Sequence, residues 1–486
     1  MRRTANFISL AFMLCTTWWG VAACDDSESF TTDRNALLRF STDTVRFDTV
    51  ISTVGSSTRQ MMVYNPNGDG IRITSVRMLG AENTPFRVNV DGSYLEPESG
   101  AQAFGFEVRK GDSIRIFAEV TMPHRGQDEP VAMTDKLVFT LESGVEQSVV
   151  LSTVGQDAYI WHGKVIERDT VLKAGRPVLV YDSLSVKEGV TLAMEPGVKL
   201  YFHDGANLWV HGRIVAEGTK EKPVVFRGDR TDHMFDYLPY DNTPSRWGGI
   251  RLSASSMDNR FVYADIHSAS YGIRCDSSAT DRMKLTLENS IIHNVGGEGL
   301  GLYHCRAQVA NTQVSNTLGN CVSVVGGWSD FVHCTIAQFY PWDASRGVAL
   351  YLADKWLQLP YPLEHAHFLN CIVTGYADDE LTGNLDDPDN ALDYRFGNCM
   401  LRTVPSDDAA RFVNVVYDRP EDQGGRQAQF VLFDTDNFLY DFRLNASSPA
   451  RNAGAREWAE QWPADRLGVN RLEDEAPDAG CYECVP

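Results

Sequence analysis

Apolar and polar residues alternate in short runs along the first third of the chain. Val45-Arg46-Phe47, Ile71-Arg72-Ile73, Phe86-Arg87-Val88-Asn89-Val90 and Ile114-Arg115-Ile116 have the two-residue period of strands with one buried face. Turn-forming runs separate them: Asn65-Pro66-Asn67-Gly68-Asp69-Gly70, Asp91-Gly92 and Lys110-Gly111-Asp112. Leu137-Val138-Phe139 and Val149-Val150-Leu151 bring the count to about six or seven strands, which predicts a β-sandwich over 36–157. No chemistry is concentrated there, so this unit reads as a spacer or packing domain.

From 158 onward the strands become briefer and glycine breaks them, as in Glu195-Pro196-Gly197-Val198-Lys199-Leu200 and Gly205-Ala206-Asn207-Leu208-Trp209-Val210. A repeat emerges when Tyr263–Ile266, Asn289–Ile292, Asn311–Val314, His333–Ile336, Asn370–Val373 and Asn398–Leu401 are aligned. The spacing has a base of about 22 residues with insertions, the length of one coil of a parallel β-helix. The fourth column (Ile266, Ile292, Val314, Ile336, Val373, Leu401) is aliphatic and should point inward. Two residues earlier, Ala264, Ser290, Thr312, Cys334, Cys371 and Cys399 form a small-residue column suited to a narrow interior, with rungs about 4.8 Å apart. The residue between these columns should face out and vary freely. Asparagine dominates the first column (Asn289, Asn311, Asn370, Asn398). It tolerates left-handed backbone at a corner, where stacked amides can bond from rung to rung.

These columns resemble those of the right-handed parallel β-helix repeat proteins of the pectate-lyase-like superfamily. Trp247-Gly248-Gly249-Ile250 and Tyr271-Gly272-Ile273 are similar to that family's early-coil phrase. Ser448-Pro449-Ala450 with Asn452 and Gly454, then Pro477-Asp478-Ala479-Gly480 with Tyr482-Glu483, are similar to its closing segment, although Arg451 and Cys481 replace more usual apolar residues. The resemblance, which runs from about 160 to the C-terminus, implies a right-handed parallel β-helix over 158–486 ending in a C-terminal cap. With the immunoglobulin-like sandwich that the strand count of 36–157 suits, the whole chain is expected to be all-β.

Charge and the N-terminus add the compartment. Asp plus Glu number 65 against 44 Lys plus Arg, a formal charge of -21, which disfavours nucleic acid and leaves cations or neutral polymers as natural ligands. Arg2 and Arg3, the apolar run from Ile8 to Trp19, and Val21-Ala22-Ala23-Cys24 resemble a lipoprotein signal peptide over 1–23. Lipidation of Cys24 would hold the chain to a membrane through a polar tether over 24–35. The expected location is the bacterial outer membrane, with the leaflet open.

Candidate chemistry is sparse. Cys334, Cys371 and Cys399 should be free thiols, because stacked rungs hold Cβ atoms farther apart than a disulfide allows. Cys275, Cys305 and Cys321 share no column, and the disulfide state of these three and of Cys481 and Cys484 stays open. His267 and His293 occupy equivalent outward positions, and His365 and His367 share one strand face, but two ligands are too few for a metal site. Asp386, Asp387 and Asp389 are weak calcium candidates without an EF-hand pattern, and no cofactor is required. Tyr237, Tyr240, Trp247, Tyr340, Trp342 and Trp356, on inserted loops, are candidates for stacking on sugar rings. No catalytic motif of the family is recognisable, so no catalytic residue is assigned. The expectation is a non-catalytic envelope lipoprotein binding polysaccharide or another surface component. The alternatives are a polysaccharide lyase or glycoside hydrolase, and an adhesion or assembly protein.

Overall fold

A computed structural model of the chain describes residues 28–357, 359–385, 392–418, 429–473 and 475–485. Cys24 and the calcium candidates Asp386, Asp387 and Asp389 lie outside the described residues. The chain divides into two compact units. The first comprises residues up to Phe47, Thr58–Val120 and Met133–Thr153; the second takes Asp48–Ser57, Thr121–Ala132 and everything from Val154. Among the described residues, no helix is long and apolar enough to cross a membrane.

The N-terminal region is a sandwich of two five-stranded antiparallel sheets. Its alternation is obeyed residue by residue: in Ile71–Met78, Ile71, Ile73, Val76 and Met78 are buried while Arg72 and Thr74 are exposed. The second unit is a parallel β-helix, in which 26 strands among the described residues form one continuous parallel sheet. Each full coil carries three strands, and each strand pairs with its counterpart on the next coil. We call the faces first (through Asn207–Val210, Gly249–Leu252 and Ile273–Cys275), second (through Asn259–Val262 and Leu363–Leu369) and third (through Ala264–His267, Ile291–Val295 and Gln313–Thr317).

The predicted columns stand in register. Ile266 pairs with Ile292, then Val314, Ile336, Val373 and Leu401 on successive coils. The small column is almost fully enclosed, and it also bonds along the coil axis. Ser290 Oγ accepts the Ala264 N–H at 3.0 Å, and the Cys371 and Cys399 sulfurs accept the N–H of Cys334 and Cys371 at 3.4 Å each. Hydroxyl and thiol therefore serve the corner amides that sheet pairing leaves over. All eight described cysteines are buried, and burial holds the Cys334 and Cys399 thiols well above their ordinary range. On the second face, Phe331, Phe368, Phe396 and Phe412 stack inside the coil with centroids 4.6, 5.1 and 5.3 Å apart.

The asparagine corner is left-handed throughout: φ is 47° at Tyr263, 51° at Asn289, 48° at Asn311, 51° at His333, and 53° at both Asn370 and Asn398. The amides do not form the expected rung-to-rung ladder. Apart from an Asn370–His333 contact at 3.1 Å, three of them bond the closing segment: Asn311 to Ala464 O at 2.9 Å, Asn370 to Ala455 O at 2.9 Å and Asn398 to Ala453 O at 3.3 Å. The closing segment thus runs along the side of the helix instead of forming only an end cap. Its Cys481 N–H donates to Thr335 Oγ1, and its Tyr482 hydroxyl donates to Gln313 Oε1. This explains a departure from the free variation expected between the columns. Ile372 and Met400 point outward yet are buried, packed with Phe430, Phe442, Ala479 and Tyr482.

Two outcomes follow for stability. Asn370→Ala should cost about 1 kcal/mol more than Asn370→Gly in chemical unfolding, because both lose the side-chain bonds but only alanine resists positive φ. Burial lifts the Glu380 carboxyl from 4.5 to about 7 despite N–H donors from Ala377 and Ala349. Between those values the native chain holds more protons than the unfolded one, so this contribution makes stability fall as pH rises through the window. Glu380→Gln should flatten the unfolding midpoint against pH there.

Candidate functional site

Period-two alternation on the first face sets a row of outward side chains between buried Leu208, Ile250, Ile273 and Leu300. Trp209 pairs with Arg251, Arg251 with Arg274, and Arg274 with Gly301. Tyr271 and Glu298 enter from the preceding corners, and together with Asn207 these residues line a cavity of about 370 Å³. The Arg251 guanidinium lies 5.6 Å from the Trp209 ring and donates through Nε to both oxygens of Asp276 at 2.8 and 3.0 Å. Arg274 sits 4.5 Å over the Tyr303 ring, whose hydroxyl donates to Glu298 at 2.8 Å. Burial and the Glu298 charge push the Tyr303 hydroxyl far above its ordinary range, so it stays a donor. Among the described residues, the terminal nitrogens of both arginines have no hydrogen-bond partner, leaving planar forks open to a ligand. The lining carries two cations and one carboxylate, Glu298, and Asp276, outside the lining, pairs with Arg251 and so offsets the second cation.

The loop aromatics separate into four groups. Trp247 is completely enclosed, stacked on Phe202 at 4.3 Å with its indole N–H donating to His267 O at 2.8 Å. It fills the interior and cannot meet a sugar; Tyr340, 4% exposed, is withdrawn as well. Tyr240 is half-buried beneath Arg230 at 4.2 Å. Tyr237 and Trp342 are exposed and joined through Phe438, whose ring lies 6.4 Å from one and 4.3 Å from the other. Trp356, on a small antiparallel hairpin, lies edge-on to Tyr303 of the first face at 5.0 Å.

The two histidine pairs acquire carboxylates. On the third face, His267 pairs in register with His293. Asp265 Oδ1 lies 2.9 Å from His267 Nδ1 and 3.3 Å from His293 Nε2, while Asp241 Oδ1 lies 3.4 Å from His267 Nε2. Burial opposes a charged His267, but Asp265 and Asp241 carry it up to about 9. On the second face, His365 Nε2 is 2.8 Å from Asp330, and Asp393 lies 3.5 Å from His365 and 3.1 Å from His367. Asp265 was legible as the outward neighbour two residues before His267. Asp330 was not, because only the register between strands brings it to His365. The first-face row escaped notice for the same reason.

No family model matches the chain, and no curated protein matches it. Among solved structures, the PapD-like domain 7 of human CEP192 is 11% identical, with 29% of this chain and 97% of that one covered and a TM-score of 0.18. The catalytic unit of a GH87 alpha-1,3-glucanase from Streptomyces thermodiastaticus is 11% identical, with 74% of each chain covered and a TM-score of 0.22.

Trp247→Ala should destabilise the protein by about 3–5 kcal/mol in unfolding experiments, the cost of an emptied core site. Trp342→Ala, on the surface, should cost less than about 1 kcal/mol.

Proposed function

We propose that this protein is a non-catalytic, lipid-anchored polysaccharide-binding protein of the bacterial envelope, and that its first-face groove grips a neutral glycan. The carrying observation is the groove itself: Trp209 and Tyr271 offer ring faces, and Arg251, Arg274, Asn207 and Glu298 offer polar groups along one wall of the coil. Sugar rings present apolar faces edged by hydroxyls, which such a lining complements. The charge balance favours a neutral polymer over a polyanion, since two arginines are offset by Asp276 and Glu298 and the chain carries -21 overall. Binding is favoured over cleavage because Asp276 is engaged by Arg251 and Glu298 by the Tyr303 hydroxyl. Neither carboxylate stands ready as half of an acid–base pair. Trp356 extends the groove at its edge, and the Tyr237–Phe438–Trp342 row supplies a separate stacking surface. The N-terminal signal supports anchorage through Cys24 in the outer membrane.

The test is a panel of neutral glucans and polyuronates, assayed for binding and for depolymerisation with and without calcium. Trp209→Ala and Arg274→Ala should each weaken neutral-glucan binding roughly tenfold, about 1.4 kcal/mol, with Trp342→Ala nearer to wild type. Depolymerisation abolished by Glu298→Gln would replace this reading with an enzyme. Binding restricted to polyuronates would defeat the charge argument.

A further inference from the structure

The His–Asp cluster on the third face lies on a different wall from the groove and needs its own account. Asp265 and His267 are two residues apart on one strand, so their side chains leave the same face, and His293 arrives from the next coil in register. Asp265 Oδ1, His267 Nδ1 and His293 Nε2 converge, with 2.9 and 3.3 Å separating the carboxylate oxygen from the two nitrogens. Ligand atoms around a tetrahedral zinc ion with bonds of ~2.0–2.1 Å stand about 3.3 Å apart. The two oxygen–nitrogen separations are near that value, and all three atoms lie within 4.8 Å of one another. The remaining atoms have the arrangement that supports a bound metal. His267 Nε2 is buried and has no hydrogen-bond partner, with Asp241 Oδ1 lying 3.4 Å away. A carboxylate at that nitrogen orients a metal-binding imidazole and raises its basicity. Asp241 is itself held by Arg227 Nη1 at 2.9 Å, and Ser268 Oγ and Asn294 Nδ2 donate to its backbone carbonyl at 2.8 and 3.2 Å.

We propose that Asp265, His267 and His293 form a binding site for a divalent transition cation of zinc-like chemistry, with Asp241 as the residue that positions His267. One carboxylate and two imidazoles are a borderline donor set that suits zinc better than calcium, which takes oxygen ligands. The partly accessible side chains of Asp265 and His293, 29% and 24% exposed, give the ion a way in. The second-face group is the natural control: its three candidate ligands, Asp330, His365 and His367, are 23%, 19% and 21% exposed, and neither imidazole is enclosed as His267 is.

The experiment uses the full chain, stripped with a chelator and titrated with zinc by equilibrium dialysis, with cobalt(II) absorption reporting nitrogen ligation. Wild type should bind a first equivalent, and Asp265→Asn and His293→Ala should each lose it. Asp241→Asn should weaken it by about 10- to 100-fold, while His365→Ala leaves it in place. Far-UV circular dichroism checks that the variants fold. If they do not, zinc-induced shifts of the His267 and His293 imidazole resonances in the wild type answer the same question. Absence of zinc binding, affinity unchanged in both Asp265→Asn and His293→Ala, loss in His365→Ala instead, or unshifted imidazoles would each overturn the proposal.

Discussion

The structure depends on one constraint: each inward side chain must pack against the equivalent side chain of the next coil, at the spacing that parallel backbone pairing imposes. That spacing, about 4.8 Å, is close to the contact distance of like side chains. A column of aliphatic residues therefore buries itself completely, and a column of phenylalanines stacks, while a hydroxyl or thiol meets the amide of the coil before it. Every other property of the second unit, including the placement of its surface chemistry, derives from holding this register. Residues far apart in sequence, such as Trp209, Arg251 and Arg274, become neighbours because the residues beside them are locked inside.

The same constraint explains what could be read from sequence. The inward columns were legible because each imposes a narrow chemistry that recurs on every coil: Ile266 to Leu401 are aliphatic, and Ala264 to Cys399 are small. The corner was legible through asparagine, the residue that best tolerates left-handed backbone, and Tyr263 and His333 adopt the same conformation by position. Outward chemistry was far less visible. It follows no repeating rule, and it assembles only when strands from different coils are set side by side. Loop aromatics misled for a related reason: Trp247 sits next to glycines in an insertion, yet its ring completes the interior beside Phe202.

The buried charges show how the closing segment is fastened. Arg471 is wholly enclosed, paired with Glu483 and donating to Asn311 Oδ1 and Gly480 O at 3.0 Å each. Asp465 accepts the N–H groups of Leu467, Val469 and Glu483. A buried ion is tolerated only where partners surround it, so these groups tie the segment to one alignment against the coils. Apolar contact through Tyr482, Phe430 and Phe442 supplies area without comparable direction.

That lengthwise attachment makes the closing segment a ruler. Its contacts at Ala464, Ala455 and Ala453 meet asparagines on three different coils, Asn311, Asn370 and Asn398. Loops at the corners can lengthen without disturbing it, as the longer interval between Ile336 and Val373 illustrates. Duplicating or deleting a whole coil between Asn311 and Asn398 would put every mark out of step. Growth of this spiral in evolution is thus permitted sideways, or toward its N-terminal end, but is counted out along the stretch that the tail measures.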